Sequence, residues 1–380
     1  MIGVKTMQVQ EQLDELRKQI SVLDEQIVPL FIQRMAIALE TGQVKAANNL
    51  AIVDADREQK VVNQAMAQVD EDLRGETALL MRTIISLARE YQQKLLTHRE
   101  VELLPPARPP LTADLRCAYQ GVPGAWSEQA LIKLFPSAER EALEFFEDVF
   151  IAVREKRADY GVVAIENSTT GAIGETYDLL RKYGCYIVGR TWIEAKQCLL
   201  AVPGTKLTDI REVYSHSEGF RQCSIFLHNR AWDQTIMRNT AVAAEAVAQA
   251  QSNRLAAIGS RRAAELNGLE VLVPDMMDSN RNRTSFVVIA TQPEYDASSD
   301  LISVNFATAH RPGALCEALM PLTATGINML SIESRPAGAG KYRFFVEIAG
   351  NILDNEVQTA LRHIAAICEY FEVLGCYREL

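Results

Sequence analysis

The chain has 380 residues, 48% of them apolar and 23% charged, a profile of ordinary globular protein with room for two or three domains. Its net charge of −10 lacks the basic footprint of a nucleic-acid binder, although a few local Arg and Lys residues can still make one pocket attract anions. No run approaches the ~18 consecutive apolar residues of a membrane span, and no apolar export signal opens the chain, so a cytoplasmic protein with no membrane partner is expected.

Residues 1–98 read as wholly helical. A proline-rich stretch at 99–112, with Pro105, Pro106, Pro109 and Pro110, reads as a stiff extended linker. Residues 113–291 alternate short apolar runs with helical patterns, the mark of α/β architecture. After a polar connection, residues 300–380 read strand, helix, strand, strand, helix, strand.

In the first region Leu13, Leu16, Ile20, Leu23, Ile27 and Leu30 recur at steps of three and four, the seam of a long helix packed on other helices. Pro29 is expected to kink it. Arg34 falls on the next seam position, where a guanidinium is costly unless a carboxylate or a bound anion meets it. Lys45 returns to nearly the same face, whereas Arg17 points away and suits a different helix. Asp54 can start a short helix that carries Arg57 and Glu58. A further helix over 77–96 sets Gln92 into an apolar stripe with Met81, Ile85, Ala88 and Leu95. The region resembles the all-helical class of chorismate mutase, an intertwined dimer of three-helix subunits. The resemblance implies a chorismate site of Arg17 (from the partner subunit), Arg34, Lys45, Asp54, Arg57, Glu58, Ala88 and Gln92. Ala88 stands where the family often has Ser. Guanidinium forks would clamp the two carboxylates, and Lys45 and Gln92 would donate to the breaking ether oxygen.

In the central region Leu115 to Tyr119 reads as a strand entering a turn with Gly121, Pro123 and Gly124. Ser127 is expected to cap the following helix, and the turn's NH groups suit an anion. Val162 to Ile165 reads as a buried strand delivering Glu166, Asn167, Ser168, Thr169 and Thr170, where ligands of α/β sheets bind. Tyr214–His216 repeats the pattern, and Asn282–Phe286 reverses it into an apolar strand. These motifs resemble prephenate dehydratase, a two-lobed α/β fold like a periplasmic binding protein. The resemblance implies prephenate contacts from Ser127, Asn167, Ser168, His216 and Thr284, with a packed structural role as the alternative for His216. Thr284 is read as the donor to the leaving hydroxyl, and Glu166 as a possible acid if burial raises its pKa. Ser285 replaces the family's usual Arg, and Arg283 is the substitute expected for it.

The last region resembles an ACT domain, a ferredoxin-like α+β fold that senses amino acids. Gly313, Ala314 and Leu315, and Glu333, Ser334, Arg335 and Pro336, match the two motifs by which related dehydratases bind phenylalanine; Asn328 joins the implied effector set. A hairpin turning through Gly338 and Gly340 and a helix interrupted at Pro321 are expected.

Seven Cys at dispersed positions match no zinc or redox spacing, and five His form no metal pair, so no metal or cofactor is expected. The three resemblances in this order match the bifunctional chorismate mutase/prephenate dehydratase family of phenylalanine biosynthesis. They imply chorismate and prephenate as substrates, L-phenylalanine as inhibitor and a homodimer or higher homo-oligomer. The alternatives are an amino-acid-sensing protein that has lost catalysis, a first domain serving only as a dimerisation bundle, or an arogenate dehydratase. A dehydrogenase is disfavoured because no Gly-x-Gly-x-x-Gly fingerprint follows a strand.

Overall fold

The computed structural model describes residues 2–48, 50, 54–96, 102–279, 282–338 and 341–380. It divides into two compact units: Met1–Val101 with Pro312–Pro321 and Arg362–Ile367, and Glu102–Arg311 with Leu322–Leu361 and Cys368–Leu380.

In the first unit α1 (Ile2–Ala47) runs through Pro29 as one helix; the proline removes a ladder bond without ending it. The side chain of Asp54 caps α2 (Ala55–Met66), accepting from the Arg57 amide at 3.0 Å. After a 3₁₀ turn at Glu71–Leu73, α3 (Arg74–Leu96) packs against both α1 and α2. Met35, Val62, Ile85 and Ala88 form the buried centre. The earlier part of the α1 seam differs from its expected burial: Leu13, Leu16, Ile20, Leu23, Ile27 and Leu30 are 43–64% exposed in the single chain.

The second unit opens with β1 (Arg116–Gln120), α4 (Trp126–Leu134), β2 (Glu139–Leu143), α5 (Phe146–Arg154), β3 (Tyr160–Asn167), β4 (Gly171–Ala172), α6 (Gly174–Tyr183) and β5 (Tyr186–Glu194). The chain then builds a second lobe. Its elements are β6 (Cys198–Ala201), β7 (Glu212–Ser215), α7 (Ser217–Gln222), α8 (Ser224–His228), β8 (Asp233–Ile236), α9 (Thr240–Ala250), β9 (Leu255–Gly259), α10 (Arg261–Asn267) and β10 (Glu270–Val273). It returns to the first lobe as β11 (Arg283–Ala290). The two sheets have the orders β2-β1-β3-β11-β5, with β4 on β3, and β10-β6-β9-β7-β8.

β11 therefore lies inside the first sheet, antiparallel to β3 and β5. Its residues alternate between two buried faces, as an interior strand requires: Val287 and Ile289 join Val163 and Ile165, while Phe286 and Val288 join Val162 and Ala164.

The third sheet has the order β13-β14-β12-β15, from β12 (Leu301–Ala307), β13 (Met329–Pro336), β14 (Tyr342–Ala349) and β15 (Tyr370–Tyr377). The connecting helices are α11 (Ala314–Ala324), continuous through Pro321, and α12 (Asn355–Ile367). This is the expected ferredoxin-like order. Gly338 turns the hairpin at φ +82°, and Gly340 lies outside the described residues. Phe345, Leu374 and Tyr377 enter the same core as Val163 and Val287, so this sheet packs on the first lobe.

The proline-rich segment is docked from Glu102 onward rather than spanning open space. Arg108 pairs with Glu294 at 2.8 Å, the Leu111 amide donates to the Tyr160 hydroxyl at 2.9 Å, and the Tyr295 hydroxyl donates to the Pro105 carbonyl at 3.1 Å. Four prolines lack NH groups, so carbonyls and flanking residues make these attachments.

A methyl group at Gly375 would overlap the Ile187 carbonyl where β15 meets β5. Gly375→Ala is expected to lower the unfolding free energy by about 1–3 kcal/mol, measured by urea titration; unchanged stability would contradict this packing.

Candidate functional site

β3 and β11 define the central site. Their register shifts between Ser285 and Phe286, so that Ser285 pairs with Glu166 but Phe286 pairs with Ala164, leaving Ile165 as the extra residue of a bulge. The bulge moves Glu166 onto the Ser285 face and Asn167 onto the opposite face, paired with Thr284. There the Asn167 Nδ2 donates to Thr284 Oγ1 at 2.8 Å and to Asn282 Oδ1 at 3.0 Å. The Asn167 Oδ1 accepts from the amides of Thr169 at 2.9 Å and Thr170 at 3.2 Å. These backbone donors fix which end of the amide is which. Thr284 Oγ1 therefore receives a hydrogen bond from Asn167, and its own proton is available to a ligand. The Ser168 Oγ accepts from the Arg283 amide at 3.0 Å, closing the loop onto β11.

The expected set is only partly gathered. Asn167, Ser168 and Thr284 come together, and the buried Asn282, which also accepts from Thr169 Oγ1 at 3.2 Å, joins them without having been assigned a role. Asn282 heads the motif that contains Thr284, and that adjacency was its signal. Ser127 is not the cap of α4. The helix starts at Trp126 after Ala125, so Ser127 sits inside its first turn and donates to the Gln120 carbonyl. Two amides of the turn before it are already paired: the Gly121 amide bonds the Leu143 carbonyl at 2.7 Å, and the Gly124 amide bonds Glu128 at 2.7 Å. Gly124, at φ +93°, is pressed against α10, where a Cβ would meet Ala263 Cα at 3.0 Å. His216 lies after β7 in the second lobe and caps α7, its Nδ1 accepting from the Glu218 amide at 3.3 Å.

Glu166 and Ser285 face away from Thr284. Arg190 of β5 reaches them, with Nε donating to Ser285 Oγ at 2.8 Å and Nη2 at 3.6 Å from Glu166. Ser285 is thus met by the guanidinium of Arg190, while Arg283 stacks over Trp192 at 4.5 Å. Glu166, 38% exposed and facing Arg190, is not brought to the Thr284 hydroxyl.

In the helical unit Arg34 is half-buried, and its Nη1 donates to the Ile84 carbonyl at 3.4 Å. Burial lowers its pKa, and among the described residues no carboxylate pairs with it. Gln92, 8% exposed, donates one amide hydrogen to the Ala38 carbonyl and keeps a second. Ala88 is buried one turn earlier on α3. Lys45 is half-buried in the last turn of α1. Arg57 is exposed in the first turn of α2, where Asp54 serves as cap. Glu58 is held in a forked ion pair with Arg89. Arg17 is exposed and, among the described residues, pairs with Asp14 of its own helix, at 3.0 Å, a contact of little worth in water.

Of the effector motifs, Gly313 adopts φ +82° just before α11, a backbone that favours glycine, with Ala314 and Leu315 opening the helix. Glu333, Ser334 and Arg335 lie on the edge strand β13. Arg335 reaches Asp178 of α6 at 3.0 Å, and the Asn328 carbonyl accepts from the Ala349 amide at 2.9 Å.

Three family models match consecutive parts of the chain: Chorismate mutase type II over residues 16–93, Prephenate dehydratase over 117–294 and the ACT domain over 302–365. A bifunctional chorismate mutase/prephenate dehydratase of Escherichia coli (strain K12) is 33% identical over 376 residues, covering 95% of each chain. An arogenate dehydratase/prephenate dehydratase of Arabidopsis thaliana is 34% identical over 314 residues, covering 75% of this chain and 79% of its own. The crystal structure of a prephenate dehydratase from Arthrobacter aurescens in complex with L-Phe aligns with a TM-score of 0.65 at 27% identity, covering 70% of this chain and 90% of its own.

Asn167→Ala removes the acceptor of the Thr169 and Thr170 amides. Hydrogen exchange at these two amides is expected to speed up by about tenfold while the Val287 amide is unaffected; equal protection in both proteins would contradict the geometry.

Proposed function

The chain belongs to the bifunctional chorismate mutase/prephenate dehydratase family with an ACT domain, and from that premise we propose that its two reactions run at separate sites, one in the helical bundle and one at Thr284. The contact between Asn167 and Thr284 is the observation that carries the second site. We assign residues 1–98 to the mutase, 113–291 to the dehydratase and 300–380 to the ACT domain.

Chorismate rearranges to prephenate by an internal bond shift, with no nucleophile and no net proton transfer. Catalysis must hold the compact conformer and stabilise charge on the ether oxygen. Arg34 and Arg57, with Arg17 of a second copy, would grip the carboxylates, and Lys45 and the remaining Gln92 hydrogen would donate to the ether. Glu58 would take the substrate hydroxyl, sharing it with its partner Arg89. Asp54 and Ala88 complete the proposed wall. A half-buried guanidinium facing a carbonyl rather than a carboxylate supports this use of Arg34.

The exposed α1 seam supports a homodimer. About six large apolar side chains along one helix would gain roughly 1.5–3 kcal/mol each from full burial, and pairing with a second α1 would supply it. The same pairing would bring Arg17 to the other subunit's site.

Prephenate loses carbon dioxide and its ring hydroxyl together. The electrons of the carbon–carboxylate bond flow into the ring as the carbon–hydroxyl bond breaks, and the departing hydroxide takes a proton to leave as water. Thr284, oriented by Asn167, would donate to the leaving oxygen. Ser168 would stand beside it, and Ser127 and His216 are the proposed contacts from the first turn of α4 and from the second lobe. Glu166 is proposed as the proton source only through movement of its side chain, since it faces Arg190. Prephenate is preferred over arogenate as substrate because the mutase domain makes prephenate in the same chain. L-phenylalanine would inhibit through Gly313, Ala314, Leu315, Asn328, Glu333, Ser334 and Arg335. No cofactor is assigned, and seven free thiols fit a reducing, cytoplasmic setting.

Arg34→Ala is expected to cut mutase kcat/KM by about a hundredfold or more while sparing dehydration of added prephenate, and Thr284→Val to do the reverse. Purified variants fed chorismate or prephenate, followed for prephenate and phenylpyruvate, test this. Loss of both activities in either variant would contradict separate sites.

A further inference from the structure

The sheet face opposite Thr284 holds a group that the proposed chemistry does not use. Arg190 and Glu347 of β14 are each only 12% exposed at the side chain, and they form an ion pair. The Tyr377 hydroxyl donates to Glu347 Oε2 at 2.9 Å and lies 2.6 Å from Ser303 Oγ. The same guanidinium donates to Ser285 of β11, approaches Glu166 of β3 and stacks over Trp192 at 4.5 Å. The Arg190 backbone is held as well: its amide donates to the Arg378 carbonyl at 3.2 Å, and its carbonyl accepts from the Leu380 amide at 2.7 Å.

A buried guanidinium needs partners for its charge and its fork of donors. Here the partners come from two sheets. Ser285 and Glu166 each precede or follow a residue of the Thr284–Asn167 contact, on the strands that hold it. Glu347 and Tyr377 belong to the ACT sheet. A movement of that sheet that withdraws Glu347 forces the charge to repartner with Glu166 or Ser285, which pulls directly on β3 and β11.

We propose that Arg190 is a positioning residue for the dehydratase reaction, and that its pair with Glu347 transmits the state of the ACT sheet to Thr284 and Asn167. The link deepens the reading of the ACT domain as a phenylalanine sensor and rests on it. A residue shared between two sheets transmits only what the effector's differential affinity supplies.

The test uses the full chain, with prephenate dehydration assayed against L-phenylalanine and phenylalanine binding measured separately by calorimetry. Glu347→Gln, which removes the partner charge as withdrawal of Glu347 would, is expected to lower dehydratase kcat without phenylalanine by about tenfold, to keep binding phenylalanine, and to lose most of the further inhibition by it. Arg190→Lys, which keeps the charge but loses the fork, is expected to lower dehydratase kcat by about tenfold with mutase kcat and phenylalanine binding unchanged. Glu347→Gln inhibited like the wild type, or Arg190→Lys with wild-type kcat, overturns the proposal. Loss of phenylalanine binding in Glu347→Gln also overturns it, because Glu347 then belongs to the effector pocket. A wild-type chain that binds no phenylalanine overturns the sensor reading itself, which separates the two failures.

Discussion

One extra residue in β3 organises the central domain. Without the bulge at Ile165, strict alternation would put Glu166 on the face of Thr284 and turn Asn167 away from it. With it, Asn167 and Thr284 meet on one face, and Glu166 and Ser285 on the other. The two faces then take different tasks. One carries oriented amides and hydroxyls where substrate is proposed to bind; the other carries the buried charge of Arg190 against the ACT sheet. The bulge holds because β11 returns from the second lobe into the interior of the first sheet, where its apolar residues are buried on both sides and cannot slip register.

The two catalytic domains share a tactic with different residues. Each sets a polar group into an apolar surface and leaves part of its bonding capacity unspent. Arg34 and Gln92 meet backbone carbonyls of neighbouring helices, which orient them without neutralising charge. Thr284 accepts from Asn167 and keeps its proton. For a pericyclic shift, oriented charge is sufficient; for a dehydration, an oriented donor at the leaving oxygen is needed.

Much of this was legible in the sequence because it depends on local pattern. Helix periodicity gave α1 to α3, alternating apolar runs gave the strands, and Asp54 announced the start of α2 as a cap. The bulge left no such mark, since Ile165 and Glu166 read like any strand end, and no local pattern shows that Glu166 faces Ser285 rather than Thr284. Ser127 misled because its hydroxyl suits a cap, but the Gly121–Gly124 turn closes early and the helix starts one residue before it. Arg190 was missed although its signal resembled that of Arg34: a cation among the alternately buried residues of β5. Its partners Ser285 and Glu347 lie 95 and 157 residues away, beyond the reach of any local pattern.

The pairing of Asn167 with Thr284 across the β3–β11 register is the central claim, and a double-mutant cycle tests it most directly. Dehydratase kcat would be measured for Asn167→Ala, Thr284→Val and the combined variant. If the amide acts by orienting the hydroxyl, the double variant should lose no more than the worse single one, within about twofold. Losses that multiply would mean that the two side chains work independently, and the account of this site would be wrong.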